Sequence, residues 1–192
     1  MCTLEKHGSL FFLTFTGDDQ HRINPNLIGN ILSHLSQVKA QATPGSVLIT
    51  QAQGKFFSNG FDLDWAQAAG SKQGASERLR QMVVLFKPVI ASLLSLPMLT
   101  ITSLTGHAAA GGFVLALSHD YIIMRRDRGV LYMSEVDLGL TLPGYVNVLF
   151  REKTGDASVR RDVLLQGLKM EGDEAVKRGV VEAACNSEEG GR

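Results

Sequence analysis

The sequence predicts an α/β fold assembled from repeated β–β–α or β–α units. Short runs rich in β-branched and aromatic residues recur at 9–17, 46–52, 99–104 and 121–126. Segments of helical periodicity separate them, which argues against a sandwich, while the strand runs argue against a helical bundle. No linker-like stretch and no internal repeat divides the 192 residues. That length suits one domain, and the expectation is a single domain over 1–192.

In chain order, SLFFLTFTG (9–17) reads as a strand stopped by Gly17. In NPNLIGNILSHLSQVKAQ (24–41), Asn24 caps a helix and Pro25 takes its first turn, and Ile28, Ile31, Leu35 and Val38 share one face. SVLITQA (46–52) is a short buried strand, followed by the glycine-punctuated GKFFSNGFDLDW. A polar stretch, AAGSKQGASE, precedes a helix over 77–95 that Pro88 bends or interrupts. LTITSL (99–104) is the next strand and runs into GHAAAGGFVLALSHD (106–120), of which GGFVLALSHD reads as helix. YIIMRR (121–126) and VLYM (130–133) are strands; GYVNVLFREKTG and ASVRRDVLLQG are helical. The tail MEGDEAVKRGVVEAA gives a short helix and then a strand-like GVV, and the ending EEGGR is polar and loose.

Composition narrows the function classes. Lys+Arg and Asp+Glu both total 19, so the formal net charge is +0, without the basic surplus of a nucleic-acid binder. The 44% hydrophobic content suffices for a sizeable core. Cys2 and Cys185 stand far apart with no CxxC spacing, and the five histidines form no HExxH, so no metal site and no disulfide framework is expected. The start MCTLEKHGSLFFLTF lacks the features of a signal peptide. Residues 99–118 imitate a membrane span, but Thr, Ser and His break the run and a glycine pair sits inside it. A strand–turn–helix passage fits better.

Two segments share one grammar: VLITQAQGKFFSNGFDLDW (47–65) and LTITSLTGHAAAGGFVLAL (99–117). Each is an apolar β-rich run, then a turn of small residues, then an apolar helical segment. Such turns aim successive backbone N–H groups outward, and two of them face to face can grip one developing oxyanion. Equally, Gly60, Gly111 and Gly112 can serve only tight turns or close packing, and the local sequence leaves both readings open.

The stretches GKFFSNGFDLDW, GHAAAGGFVLALSHD and GVLYMSEVDLGL, with LLQGLKMEGDEAVKRGVVEAA after them, resemble the crotonase (enoyl-CoA hydratase/isomerase) superfamily from about residue 8 to about residue 186. Within it the likeness is to the plant peroxisomal Δ3,Δ2-enoyl-CoA isomerases. The resemblance implies a crotonase-like ββα spiral core acting on acyl-CoA, with no separate cofactor because CoA is part of the substrate. It implies that the N–H groups of Phe61 and Gly111 hold the thioester oxygen, and that Glu135 is the catalytic base. Lys55 is assigned either to CoA phosphates or to solvent, and Ser58, Asn59, Gly60 and Asp62 to the CoA moiety, with Asp62 also a candidate helix cap. The ring of Phe61 is expected as packing or a wall of the acyl pocket. Asp137 is the poorer base, because a strand would point it away from the Glu135 face. His107 is read as structural, and the Arg pairs 125–126 and 160–161 as solvated faces or subunit contacts.

The departures matter as much. Hydratases of the family carry a second glutamate three residues after the second oxyanion-hole glycine, where this chain has Val114. Adding water needs that water both held and deprotonated; moving a double bond from C3–C4 to C2–C3 needs one carboxylate reaching both carbons. Val114 therefore points to an isomerase serving β-oxidation. Hydration, thioester hydrolysis and a non-catalytic acyl-CoA-binding or assembly subunit are the alternatives. Relatives continue into C-terminal helices that cover the ligand and help build a trimer or hexamer, so the expectation is a core with that region largely absent. A peroxisomal setting follows from the resemblance, although EEGGR is not the usual C-terminal tripeptide.

Overall fold

The computed structural model describes residues 1–186; the EEGGR ending lies outside the described residues. The chain alternates between two sheets. A six-stranded sheet takes β1 (Cys2–His7), β2 (Leu10–Phe15), β3 (Val47–Ala52), β5 (Leu99–Leu104), β7 (Tyr121–Arg125) and β9 (Ala183–Cys185), in that order. A three-stranded parallel sheet takes β4 (Phe56–Ser58), β6 (His107–Ala109) and β8 (Leu131–Tyr132). Among the described strands of the large sheet, β1 and β2 pair antiparallel and the other neighbours pair parallel. From β3 onward each unit therefore sends its first strand to the large sheet and its second to the small one. A helix or helix pair follows: α2 (Leu63–Gln67) and α3 (Lys72–Leu94), then α4 (Gly111–Leu117), then α5 (Gly144–Lys153) and α6 (Ala157–Gln166). The β–β–α reading of the sequence is the path the chain takes.

Helix α1 (Pro25–Gln41) begins where the sequence places it, with Asn24 Oδ1 accepting the Leu27 N–H at 3.0 Å, and it buries Leu27, Ile28, Ile31, Leu35 and Val38. Helix α3 starts five residues before the expected 77, because Ser71 caps it through the Gly74 N–H at 3.0 Å. Its first turn is polar because it is largely exposed, not because it is a loop. The helix continues through Pro88, which lies on the solvent side, so the carbonyl of Val84 that the proline leaves unbonded also faces out. Strand β1 was not foreseen: CTLEKH carries four polar side chains, Thr3, Glu5, Lys6 and His7, as an edge strand tolerates. At the other end, Gly179–Val181 is a turn, and the strand comes later at Ala183–Cys185. Val180 and Val181 are buried there without being extended. Helix α7 (Gly172–Lys177) precedes them.

The membrane-like run 99–118 resolves into β5, β6 and α4, and among the described residues no helix is long and apolar enough to cross a membrane. Every residue of α4 is buried, which explains a helix apolar on all sides. Its C-terminal end is tied to three threonines on the inner face of the large sheet. Thr50 Oγ1 meets His119 Nε2 at 2.8 Å, Thr100 Oγ1 donates to Asp120 Oδ2 at 2.9 Å, and Thr102 Oγ1 donates to the Ala116 carbonyl at 3.4 Å. With that end fixed, the other end delivers Gly111 to the small-sheet side.

Burial pushes the His119 imidazole down to about 4, so it stays neutral in the fold. Unfolded, it takes up a proton below its ordinary value of 6.5, so stability is lost as pH falls from 6.5 towards 4. The expected contribution of this one group is about 3 kcal/mol. Denaturant titrations between pH 7 and 4 check this, with His119→Gln showing a flatter acid limb.

Candidate active site

The first turn follows β4 and the second follows β6, neighbouring strands of the small sheet with Ser58 opposite Ala108. Gly60 has φ +73, and a Cβ placed on it would lie 2.9 Å from Ala110 Cβ, 3.1 Å from the Ala109 oxygen and 3.4 Å from the Gly111 nitrogen. The two turns are therefore in contact, which the sequence left open. Gly112 presses directly on the backbone oxygen and Cβ of Ser58. Ala110, between the strand and α4, holds φ 50 and ψ −122, a region costly for a residue with a side chain, of order 1–3 kcal/mol. Its N–H is anchored to the Tyr132 carbonyl at 2.9 Å, which helps maintain the conformation that swings the next N–H outward.

Among the described residues neither the Phe61 N–H nor the Gly111 N–H donates to another protein group. The Gly60 carbonyl accepts from Ile23 N–H at 2.8 Å, and Asp62 N–H donates to the Ile23 carbonyl at 2.9 Å, so Phe61 between them is held in a parallel bridge. This Gln20–Asn24 segment is the part of the site that the sequence reading missed. Its one visible signal, the Asn24 cap, pointed only to a helix. In the structure Asn24 Nδ2 also donates to Asp62 Oδ2 at 3.1 Å, while Asp62 Oδ1 caps α2 through the Trp65 N–H at 2.9 Å. The two helix caps brace the first turn from both sides. The Phe61 ring stands edge-on to Phe86, with centroids 5.5 Å apart.

Glu135 follows β8 in a turn covering 135–139, closed by the Leu140 N–H on the Glu135 carbonyl at 2.9 Å. Because this segment is a turn, strand alternation does not govern Asp137; it is exposed and lines none of the cavities around Glu135. Glu135 Oε2 is buried without a hydrogen-bond partner. Burial pushes the carboxyl above its ordinary value, only partly offset by the backbone N–H groups of Glu135 and Ser134. A cavity of about 60 Å³ joins Glu135 to Phe61 and Ala110, and so to both donor turns. It adjoins a largely apolar cleft of about 390 Å³ walled by Phe61, Leu79, Val83, Leu140, Leu142 and Pro143, with Ser76, Arg80, Thr141 and again Glu135. A third hollow, of about 690 Å³, is lined by Glu135, Leu140 and Leu142 together with Arg151, Arg160 and Arg161.

The remaining expected residues divide. Asn59 lines the small cavity, with Nδ2 donating to Gln20 Oε1 at 3.0 Å. Ser58 is fully buried, backbone included, so the expected contact of this residue with the CoA moiety is not available at the surface. Lys55 is exposed before β4, at the opposite end of that strand from Gly60, with Nζ 5.8 Å from the Phe56 ring centroid. The His107 ring lies tilted against Phe56, with centroids 5.1 Å apart, and burial first, then the charges of Lys55 and Arg128, lower its basicity. Val114 is 2% exposed and lines none of the three cavities. Arg125 pairs with Asp127 and Arg126 with Asp173, both at the surface. Among the described residues no cluster of three or more His, Cys, Asp or Glu side chains could hold a metal ion.

The enoyl-CoA hydratase/isomerase family matches residues 6–189. The chain belongs to this family. It is 63% identical over 191 residues to the peroxisomal enoyl-CoA delta isomerase 2 of Arabidopsis thaliana, covering 99% of this chain and 80% of that one. With enoyl-CoA delta isomerase 3 of the same plant the identity is 59%, over 97% of this chain and 77% of that protein. Among solved structures, DspI of Pseudomonas aeruginosa superposes with a TM-score of 0.84 at 24% identity, covering 98% of this chain and 69% of that chain. An enoyl-CoA hydratase from Bacillus halodurans gives 0.85 at 18%, over 97% and 73%. At those identities the likeness is one of fold, and the fold is the crotonase-like ββα spiral of the enoyl-CoA hydratase/isomerase family.

The two family glycines of the second turn should differ in tolerance. A Cβ on Gly111 would meet only the tip of Ile23 at 3.3 Å and the Phe61 ring at 3.5 Å, whereas one on Gly112 would collide with the Ser58 backbone. Gly112→Ala is expected to lose about 1–3 kcal/mol of stability and Gly111→Ala less than 1, as thermal or denaturant unfolding would report.

Proposed function

We infer that the protein converts 3-cis- or 3-trans-enoyl-CoA to the 2-trans isomer, with Glu135 as the only carboxylate in the reaction. Glu135 takes a proton from C2 of the bound thioester, the electrons move into a dienolate whose charge falls on the thioester oxygen, and the Glu135 carboxylic acid returns a proton to C4. The double bond now lies at C2–C3 and the carboxylate is regenerated. The observation that carries this is the 60 Å³ cavity shared by Phe61, Ala110 and Glu135, because it brings a base and two unpaired N–H turns to one small volume.

Each part has a physical role. The N–H groups of Phe61 and Gly111 are fixed by the backbone, so they stabilise developing charge without reorganising; one such donor is worth roughly 3–4 kcal/mol in rate. Burial raises the Glu135 carboxyl toward neutrality, which favours both accepting and returning a proton. The apolar cleft along Leu79, Val83 and Leu142 suits an acyl chain. Val114 supports isomerisation over hydration, since it leaves no second carboxylate in α4 to deprotonate water. The names of the Arabidopsis relatives support the same activity, and the word peroxisomal in the first of them supports that location.

The same reading takes CoA as part of the substrate, with no separate cofactor, and assigns Asn59, Gly60 and Asp62 to the turn that the CoA thioester approaches. Lys55 is too far along β4 to reach the thioester and is left to the phosphates or to solvent. One contiguous hydrophobic core from Cys2 to Val181 supports a single domain, and trimeric or hexameric assembly belongs to the proposal through the family likeness.

Glu135→Gln is expected to lower kcat by roughly 10²–10⁴-fold in a 3-enoyl-CoA isomerisation assay, with acyl-CoA binding retained. In the unsubstituted protein kcat/KM should rise with pH and level off above the raised Glu135 value, a limb the variant lacks. Isomerisation surviving the substitution would remove Glu135 as the base, and release of free CoA would indicate hydrolysis instead.

The same burial makes the variant more stable at neutral pH. Above its raised value the native carboxylate carries a poorly solvated charge that glutamine lacks; below the ordinary carboxylate range both side chains are neutral. The unfolding midpoint of Glu135→Gln should therefore exceed that of the native protein at pH 8, with the gap closing at pH 4.

A further inference from the structure

Ser58 lies where the two donor turns meet, yet it cannot reach a ligand with its side chain. It is 0% exposed. Its hydroxyl donates to the His21 carbonyl at 2.8 Å and accepts the Gly60 N–H at 3.3 Å, the peptide just before the Phe61 N–H. Its own carbonyl and Cβ press on Gly112, the residue just after Gly111. One residue thus touches the neighbour of each proposed donor. The His21 end matters too. His21 holds a φ of 46, its N–H is bound by Asp18 Oδ1 at 2.7 Å, and its ring Nε2 lies 2.6 Å from the Gln53 carbonyl. From that bend the chain proceeds to Ile23, which brackets Phe61 through Gly60 and Asp62.

We propose that Ser58 is a positioning residue that sets the separation and aim of the Phe61 and Gly111 N–H groups. It rests on the oxyanion reading of those two groups. With the hydroxyl gone, the Gly60 N–H loses its side-chain acceptor and the His21 carbonyl its donor, in a place closed to solvent. The first turn is then free to rotate relative to the second. A small misalignment weakens the hold on the enolate oxygen more than it weakens ground-state binding, which many contacts share.

The test uses the full chain and its Ser58→Ala and Ser58→Cys variants; cysteine keeps the shape in a slightly larger side chain but hydrogen-bonds weakly. Two quantities are read: kcat and KM for 3-enoyl-CoA isomerisation, and the infrared carbonyl stretch of bound 2,4-hexadienoyl-CoA. The expected result is a kcat lowered by roughly tenfold or more with KM changed less than about threefold, and a smaller downshift of the thioester carbonyl in both variants. A purely structural serine would lower the melting midpoint and leave the carbonyl shift and low-temperature kcat at native values, which would overturn the proposal. If the unsubstituted protein itself shows no carbonyl downshift, the oxyanion reading fails and this inference with it. A native downshift unchanged in both variants overturns the role of Ser58 alone.

Discussion

Two pieces of backbone meet at the candidate site with no room for a side chain between them. Gly60 meets Ala109 to Gly111, and Gly112 meets Ser58, at separations that leave no room for a β-carbon. Much else serves this contact. The small sheet holds β4 beside β6 so that their ends turn together, and the buried threonines of the large sheet fix the far end of α4. The paired caps at Asn24 and Asp62 fasten the outer side of the first turn. The strained dihedrals of Ala110 fit the same picture: a residue is kept in a costly conformation because sheet and helix together allow no other path.

The sequence revealed the elements whose energetics are local. The α1 boundaries follow from Asn24 and Pro25, and β3 and β5 from short apolar runs, so they stand within a residue of expectation. What escaped depends on neighbours distant in sequence. Strand β1 is an edge whose charged residues give no apolar alternation, and β6 is three residues long, too short to carry a period. The Gly179–Val181 stretch looked extended because two buried valines resemble a strand, yet burial there comes from a turn packed under the core.

The site was legible to a similar degree. Gly60, Gly111 and Glu135 could be picked out only through their likeness to a family, since glycines and a lone glutamate have several uses. That the turns touch is a property of strand pairing between Ser58 and Ala108, fifty residues apart in the sequence by number and invisible without the register. The Gln20–Asn24 segment was overlooked because its role is carried by the backbone of Ile23, and a backbone contact leaves no mark on residue choice.

The division between backbone donors and a side-chain base has a consequence for how such a fold can be altered. In the proposed reaction, stabilisation of the oxyanion is written into the path of the chain and is indifferent to which side chain Phe61 carries, whereas the proton transfer is assigned to one carboxylate borne by a loop between β8 and α5. The close contacts between the turns, Gly60 with Ala109 to Gly111 and Gly112 with Ser58, involve no residue of that loop. On the proposed division of labour, repurposing this scaffold for another acyl-CoA reaction is a problem of loop design, with the backbone half left as it is.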